Sequence, residues 1–227
     1  MDIGYLVVAG ILSMIGMFVS GRLKSKFNKY SQVNLQSGMS GKEVAEQMLA
    51  YYNIHDVRVV PAKGFLTDHY NPLTKTVALS EPVYNARTIS AAAVAAHECG
   101  HAVQHDTAYG MLKMRSALVP VVKVAAMAQQ GLLMVAFLML NQFPMLMLIT
   151  IAAFAMTALF SFVTLPVEFD ASNRALAWLE DTGVTREKEH EGAKDALWWA
   201  AMTYVAAALS SLVMVLYLIL QYTGRRR

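Results

Sequence analysis

The chain has 227 residues, 56% of them hydrophobic and only 15% charged, with a mean hydropathy of +0.39. Soluble domains hold about 25% charged and 45–50% apolar residues, so this composition argues for an integral membrane protein. A formal net charge of +3, scattered along the chain, excludes the basic footprint of a nucleic-acid binder, and one cysteine excludes an intrachain disulfide framework.

Residues 3–20 form an apolar run of 18, just enough to cross the hydrocarbon core. No positive charge precedes the run and no small-x-small cleavage site follows it, so a retained transmembrane helix is expected rather than a signal peptide. Arg22, Lys24, Lys26 and Lys29 follow as interface anchors. Ser40-Gly41-Lys42-Glu43 is a capping-box pattern that opens a helix to about Asn53, with Val44, Met48, Leu49 and Tyr52 on its apolar face. Residues 57–60 read as a short strand. Residues 64–70 and 76–80 read as two more, joined by a turn at Asn71-Pro72. An edge strand here can hold an extended segment by backbone hydrogen bonds, or the hairpin can simply complete the fold.

The stretch from Ile89 to Asp106 reads ISAAAVAAHECGHAVQHD and holds an H-E-x-x-H pattern at His97, Glu98 and His101. Helix is expected from the run of alanine and valine at 91–96. Residues four apart on a helix share a face, so both imidazoles can address one zinc ion. Glu98 is placed to act as general base on water. Such a short pattern also arises by chance, and the helical context is what favours a site. Cys99, two residues from His97, points off that face and is read as packing. The segment carries too few apolar residues between polar limits for a clear span, so it is expected to be a buried helix.

Two further apolar regions, 117–140 and 143–165, form a transmembrane hairpin turning at Asn141-Gln142. Gln129 and Gln130 within the first are expected to face another helix. A fourth span covers 197–221, with Trp198, Trp199 and Tyr204 at one interface and Arg225 to Arg227 at the other end. The expected fold class is a mainly α membrane protein with four transmembrane helices and a small zincin-like α+β catalytic portion, in one integral membrane peptidase domain spanning 1–227. Four spans put the catalytic segments, 21–116 and 166–196, on one side of the cell membrane. Ten lysines and arginines flank the spans there and three lie opposite, so the positive-inside rule makes the catalytic side cytoplasmic.

A zinc peptidase needs a third protein ligand, and the segment after the third span supplies two acids, Glu168 and Asp170. Glu168 is the preferred ligand and Asp170 the alternative. In the competing reading both acids open a helix, where the macrodipole favours a carboxylate. His105 lies eight residues beyond His97, about 12 Å along a straight helix, too far to share its metal. His105 is therefore read as structural. His190, Arg174 and Tyr84 are all candidates for oxyanion stabilisation.

Three blocks, HECGHAVQH, TDHYNPLTKTVALSEPVYN and LPVEFDASNRAL, make the chain resemble the bacterial membrane-bound neutral zinc metallopeptidases of the YugP type. The resemblance implies one zinc ion held by His97, His101 and Glu168, with Glu98 catalytic and a protein or peptide as substrate. More distantly the chain is similar to the HtpX and CAAX prenyl protease families. Those carry an aspartate four residues beyond the ligand glutamate to orient a zinc histidine, where this chain has Ser172. The expected chemistry is peptide hydrolysis by zinc-activated water. Two alternatives compete with it: a non-catalytic zinc-binding membrane scaffold, and an intramembrane site-2-type protease with its motif inside a span. The sequence carries no signal of oligomeric state.

Overall fold

The computed structural model describes residues 3–139 and 142–224. Asn141 of the expected hairpin turn, the side chain of Gln130 and the three terminal arginines lie outside the described residues. In chain order the elements are α1 (Ile3–Tyr30), α2 (Gly41–Tyr51), β1 (Arg58–Ala62), β2 (His69–Asn71), β3 (Thr76–Ser80) and α3 (Glu81–Tyr84). They are followed by α4 (Ile89–Asp106), α5 (Gly110–Leu138), α6 (Pro144–Asp181) and α7 (Lys188–Gly224). The protein is thus mainly helical with one small sheet. Helices α1, α6 and α7 are long and apolar enough to cross a membrane, and α5 adds a fourth if its two bent parts count as one span.

These helices overrun the spans expected from hydropathy. At 1.5 Å per residue, the 38 residues of α6 reach about 57 Å, nearly twice a hydrocarbon core of about 30 Å. Helix α6 runs on through Pro166, just past the end of the expected span, although proline withholds one N–H from the ladder there. Packing overrides the local preference. Val163, Val167, Ala171 and Ala175 recur every four residues on both sides of the proline, and all are buried. Glu168 and Asp170 therefore lie deep inside a helix, which removes the reading of both as helix-opening acids.

The chain divides into two compact units. The first comprises residues 3–20, 114–139, 142–165 and 203–224. Leu133, Ala136, Phe137, Met147, Met214 and Leu218 form its core, with Tyr5 packed edge-on against Phe137. Gln129 donates to the Ala153 carbonyl at 3.0 Å and to Thr157 Oγ1 at 2.6 Å, so this amide does face another helix.

The second unit comprises residues 21–113 and 166–202. Helix α4 is its centre: fourteen of its eighteen residues are buried. Alanines at 91, 92, 93, 95 and 96 let neighbouring elements pack closely, with Val44, Met48, Leu79 and Trp178 filling the same core. Thr88 caps α4 by accepting the Ala91 N–H, and Ser40 with Glu43 forms the expected capping box on α2. The sheet has the order β1-β3-β2, with β1 parallel and β2 antiparallel to the buried central strand β3. Asn71 Oδ1 shapes the β2–β3 turn by accepting the N–H groups of Leu73 and Thr74. Strand β2 is shorter than the expected 64–70, because Gly64 and Leu66 both take positive φ, which breaks the extended run.

Candidate metal centre

Two helices of the second unit bring together the residues that the sequence singles out. On α4, His97 and His101 stand one turn apart with ring centroids 4.8 Å apart and ring planes at 81°. On α6, Glu168 is 1% exposed and presents Oε2 at 3.3 Å from His97 Nε2 and 3.6 Å from His101 Nε2. One ligand atom from each of these three residues lies within 4.8 Å of the others, so the cluster could hold a metal ion. Two imidazoles and a carboxylate are the donor set of catalytic zinc sites that keep a fourth position open.

The close approach of the helices depends on Gly100, between the two histidines. A Cβ built there would lie 2.5 Å from the Ala171 carbonyl oxygen and 3.1 Å from its Cα. Only a hydrogen fits at this crossing, and the crossing is what delivers Glu168, one turn before Ala171, to the histidines. Sequence reading treated Gly100 as an unspecified motif position. Its role depends on a partner 71 positions away in the chain.

Both imidazoles are oriented through Nδ1. His97 Nδ1 lies 3.1 Å from Ser172 Oγ, so this serine reaches one histidine of the cluster. His101 Nδ1 lies 3.0 Å from Gln104 Oε1. The Gln104 amide nitrogen donates to the Val167 carbonyl and to Asp170 Oδ2, both at 2.8 Å. Asp170 also accepts from Arg174 Nε at 2.6 Å. Asp170 thus stands one link behind His101. Sequence reading missed Gln104, although its spacing three residues beyond His101 puts it on the same helix face.

Burial alone would raise the Glu168 pKa, but hydrogen bonds and charge from His101 and His97 outweigh it and hold the carboxyl well below its usual range. For His101 burial works toward a lower value, and the Glu168 and Glu98 carboxylates reverse that and raise it. Glu98 is buried beside His97 on α4. Cys99 is buried with Sγ 3.5 Å from the Ala45 carbonyl, and burial pushes its thiol up.

The other candidates are engaged elsewhere. His105 Nδ1 is 2.8 Å from Tyr70 Oη, which ties the end of α4 to β2. His190 faces Thr185 and Glu180, Arg174 holds Asp170, and Tyr84 carries the Lys42 ammonium over its ring.

Comparison with known proteins gives the family. Residues 5–223 match the family model described as "Putative neutral zinc metallopeptidase". A protein of Bacillus subtilis (strain 168) named "Putative membrane protease YugP" is 42% identical over 205 residues, covering 90% of each chain. No solved structure matches the chain. With a family match that runs almost end to end and a zinc-type donor set on adjoining helices, the chain belongs to this family of neutral zinc metallopeptidases.

Proposed function

We propose that this protein is an integral membrane zinc endopeptidase in which His97, His101 and Glu168 hold one zinc ion and Glu98 is the general base. The observation that carries the reading is the meeting of two histidine Nε2 atoms and one carboxylate oxygen within 4.8 Å, with both Nδ1 atoms already engaged. Zinc bound there supplies Lewis acidity toward water and the scissile carbonyl. Glu98 takes the proton of the attacking water on its carboxylate and returns it to the leaving amine nitrogen. Ser172 and Gln104 hold the imidazoles in place while this occurs.

The substrate is an extended segment of a protein or peptide. The chain crosses the cell membrane four times, with its catalytic segments on the cytoplasmic side, as the distribution of lysine and arginine favours. A site-2-type arrangement is less well supported. Helix α4 is an 18-residue element wrapped by α2 and α3, and it is not among the helices apolar enough to span. A structural zinc scaffold would have no use for the Glu98 carboxylate.

The test is zinc content and cleavage of an unfolded model protein by the detergent-purified chain, with Glu98→Gln alongside. One zinc per chain in both forms is expected, with cleavage slowed about 10²–10⁴-fold in the variant. Zinc in both and equal cleavage would remove Glu98 from the mechanism. Absence of zinc from the wild type would overturn the whole reading.

A further inference from the structure

Resting on the zinc reading above, we propose that Gln104 is a positioning residue that locks His101 in the tautomer with its proton on Nδ1. The locking group is the side-chain amide, wedged between the two helices that carry the metal ligands.

The argument is one of donors and acceptors. Arg174 can only donate, and its Nε lies 2.6 Å from Asp170 Oδ2. That oxygen is therefore an acceptor. Gln104 also reaches it, so the group Gln104 presents must be its NH2. The second contact of the same nitrogen is the Val167 carbonyl, again an acceptor. Two independent acceptors therefore determine which way the amide faces, a choice that heavy-atom positions alone would leave open. Oε1 is then directed at His101 Nδ1, 3.0 Å away, and it can only accept. His101 must carry a proton on Nδ1, so Nε2, on the Glu168 side of the ring, is the nitrogen left to bind a metal.

Burial makes the lock tight. Gln104 is 0% exposed, so no water competes for its amide. Its anchor is also well chosen, since the Val167 carbonyl belongs to the residue just before Glu168. One side chain thus couples the orientation of a histidine on α4 to the backbone that carries the carboxylate on α6. His97 lacks this constraint: its Nδ1 faces Ser172 Oγ, a hydroxyl that can rotate to donate or accept. The two histidines are held unequally, and the firmly held one is His101.

The experiment uses the full-length, detergent-purified protein and the unbranched apolar variant Gln104→Met, which keeps most of the volume. Selective ¹⁵N-histidine labelling of the metal-free wild type reads the ring tautomers, with His101 assigned by its loss in His101→Gln. Zinc affinity is measured by chelator competition, and the visible spectrum of the cobalt(II)-loaded protein reports the ligand field. The wild type is expected to show His101 protonated on Nδ1. Gln104→Met is expected to lose that preference, bind zinc about 10–100-fold more weakly and shift the cobalt bands. A wild type with no proton on His101 Nδ1 overturns the proposal, and this outcome needs no variant to fold. So does a Gln104→Met protein that binds zinc as tightly as wild type with an unchanged cobalt spectrum. Either result in a zinc-loaded, active wild type sinks the lock alone, whereas a wild type that takes up no zinc sinks the peptidase reading beneath it.

Discussion

At the scale of single residues, the centre depends on one missing methyl group. Gly100 lies against the Ala171 backbone, which cannot yield the way a flexible side-chain tip can. Gly100→Ala is expected to push α4 from α6, cost about 1–3 kcal/mol in stability and lower zinc affinity at the same time. Gly110→Ala is the control, because a Cβ there meets open space. Thermal midpoints and chelator titrations of the two variants check this, and equal effects would remove the crossing argument. Behind the two imidazoles, Ser172 Oγ lies beside His97 Nδ1, and the carboxylate of Asp170 reaches His101 through Gln104.

Among elements, the ties that hold the second unit together are polar as well as apolar. Asp195 on α7 accepts from Lys26 Nζ at 2.7 Å and Tyr30 Oη at 2.6 Å, both on α1. Burial raises the Asp195 pKa, but these two donors outweigh it and the net shift is downward. The contact pushes the Tyr30 phenol up to about 12, through burial first and then through Asp195. A carboxyl depressed in the folded state contributes stability above its unfolded pKa of about 3.9 and loses it as pH falls through the folded value. Asp195→Asn is therefore expected to cost about 1 kcal/mol at pH 7, with the difference from wild type shrinking as pH falls below about 4 and gone only below the depressed folded value. Thermal midpoints across that range check the sign, and a difference that grows toward acid would contradict it. On α2, Ser40→Ala is expected to cost about 1 kcal/mol, since Ser40 and Glu43 satisfy each other's N–H groups. Denaturant unfolding measures this, and Lys42→Ala, whose side chain lies outside the box, is expected to cost less.

For the whole molecule, sidedness can be measured because the lone cysteine is silent. Cys99 is fully buried and its thiol is pushed up, so an impermeant maleimide is expected to leave it untouched. Leu73, at the β2–β3 turn, is 93% exposed. A Leu73→Cys protein is expected to be labelled in inside-out vesicles and not in intact cells if the catalytic segments are cytoplasmic; the reverse pattern inverts the topology. What the sequence determined was local. The helix from Ile89 to Asp106, the capping box at Ser40 and the apolar runs each follow from spacing and side-chain type, which act over one or two turns. Glu168 was preferred from its place after an apolar run, yet sequence alone left it level in kind with Asp170, two residues away. Only the tertiary structure separated them. Residues two apart on a helix point in different directions, so Glu168 faces the imidazoles while Asp170 faces Gln104 and Arg174. The unbroken course of α6 through Pro166 was decided the same way, by a buried stripe whose burial depends on surrounding structure that is invisible in a local window.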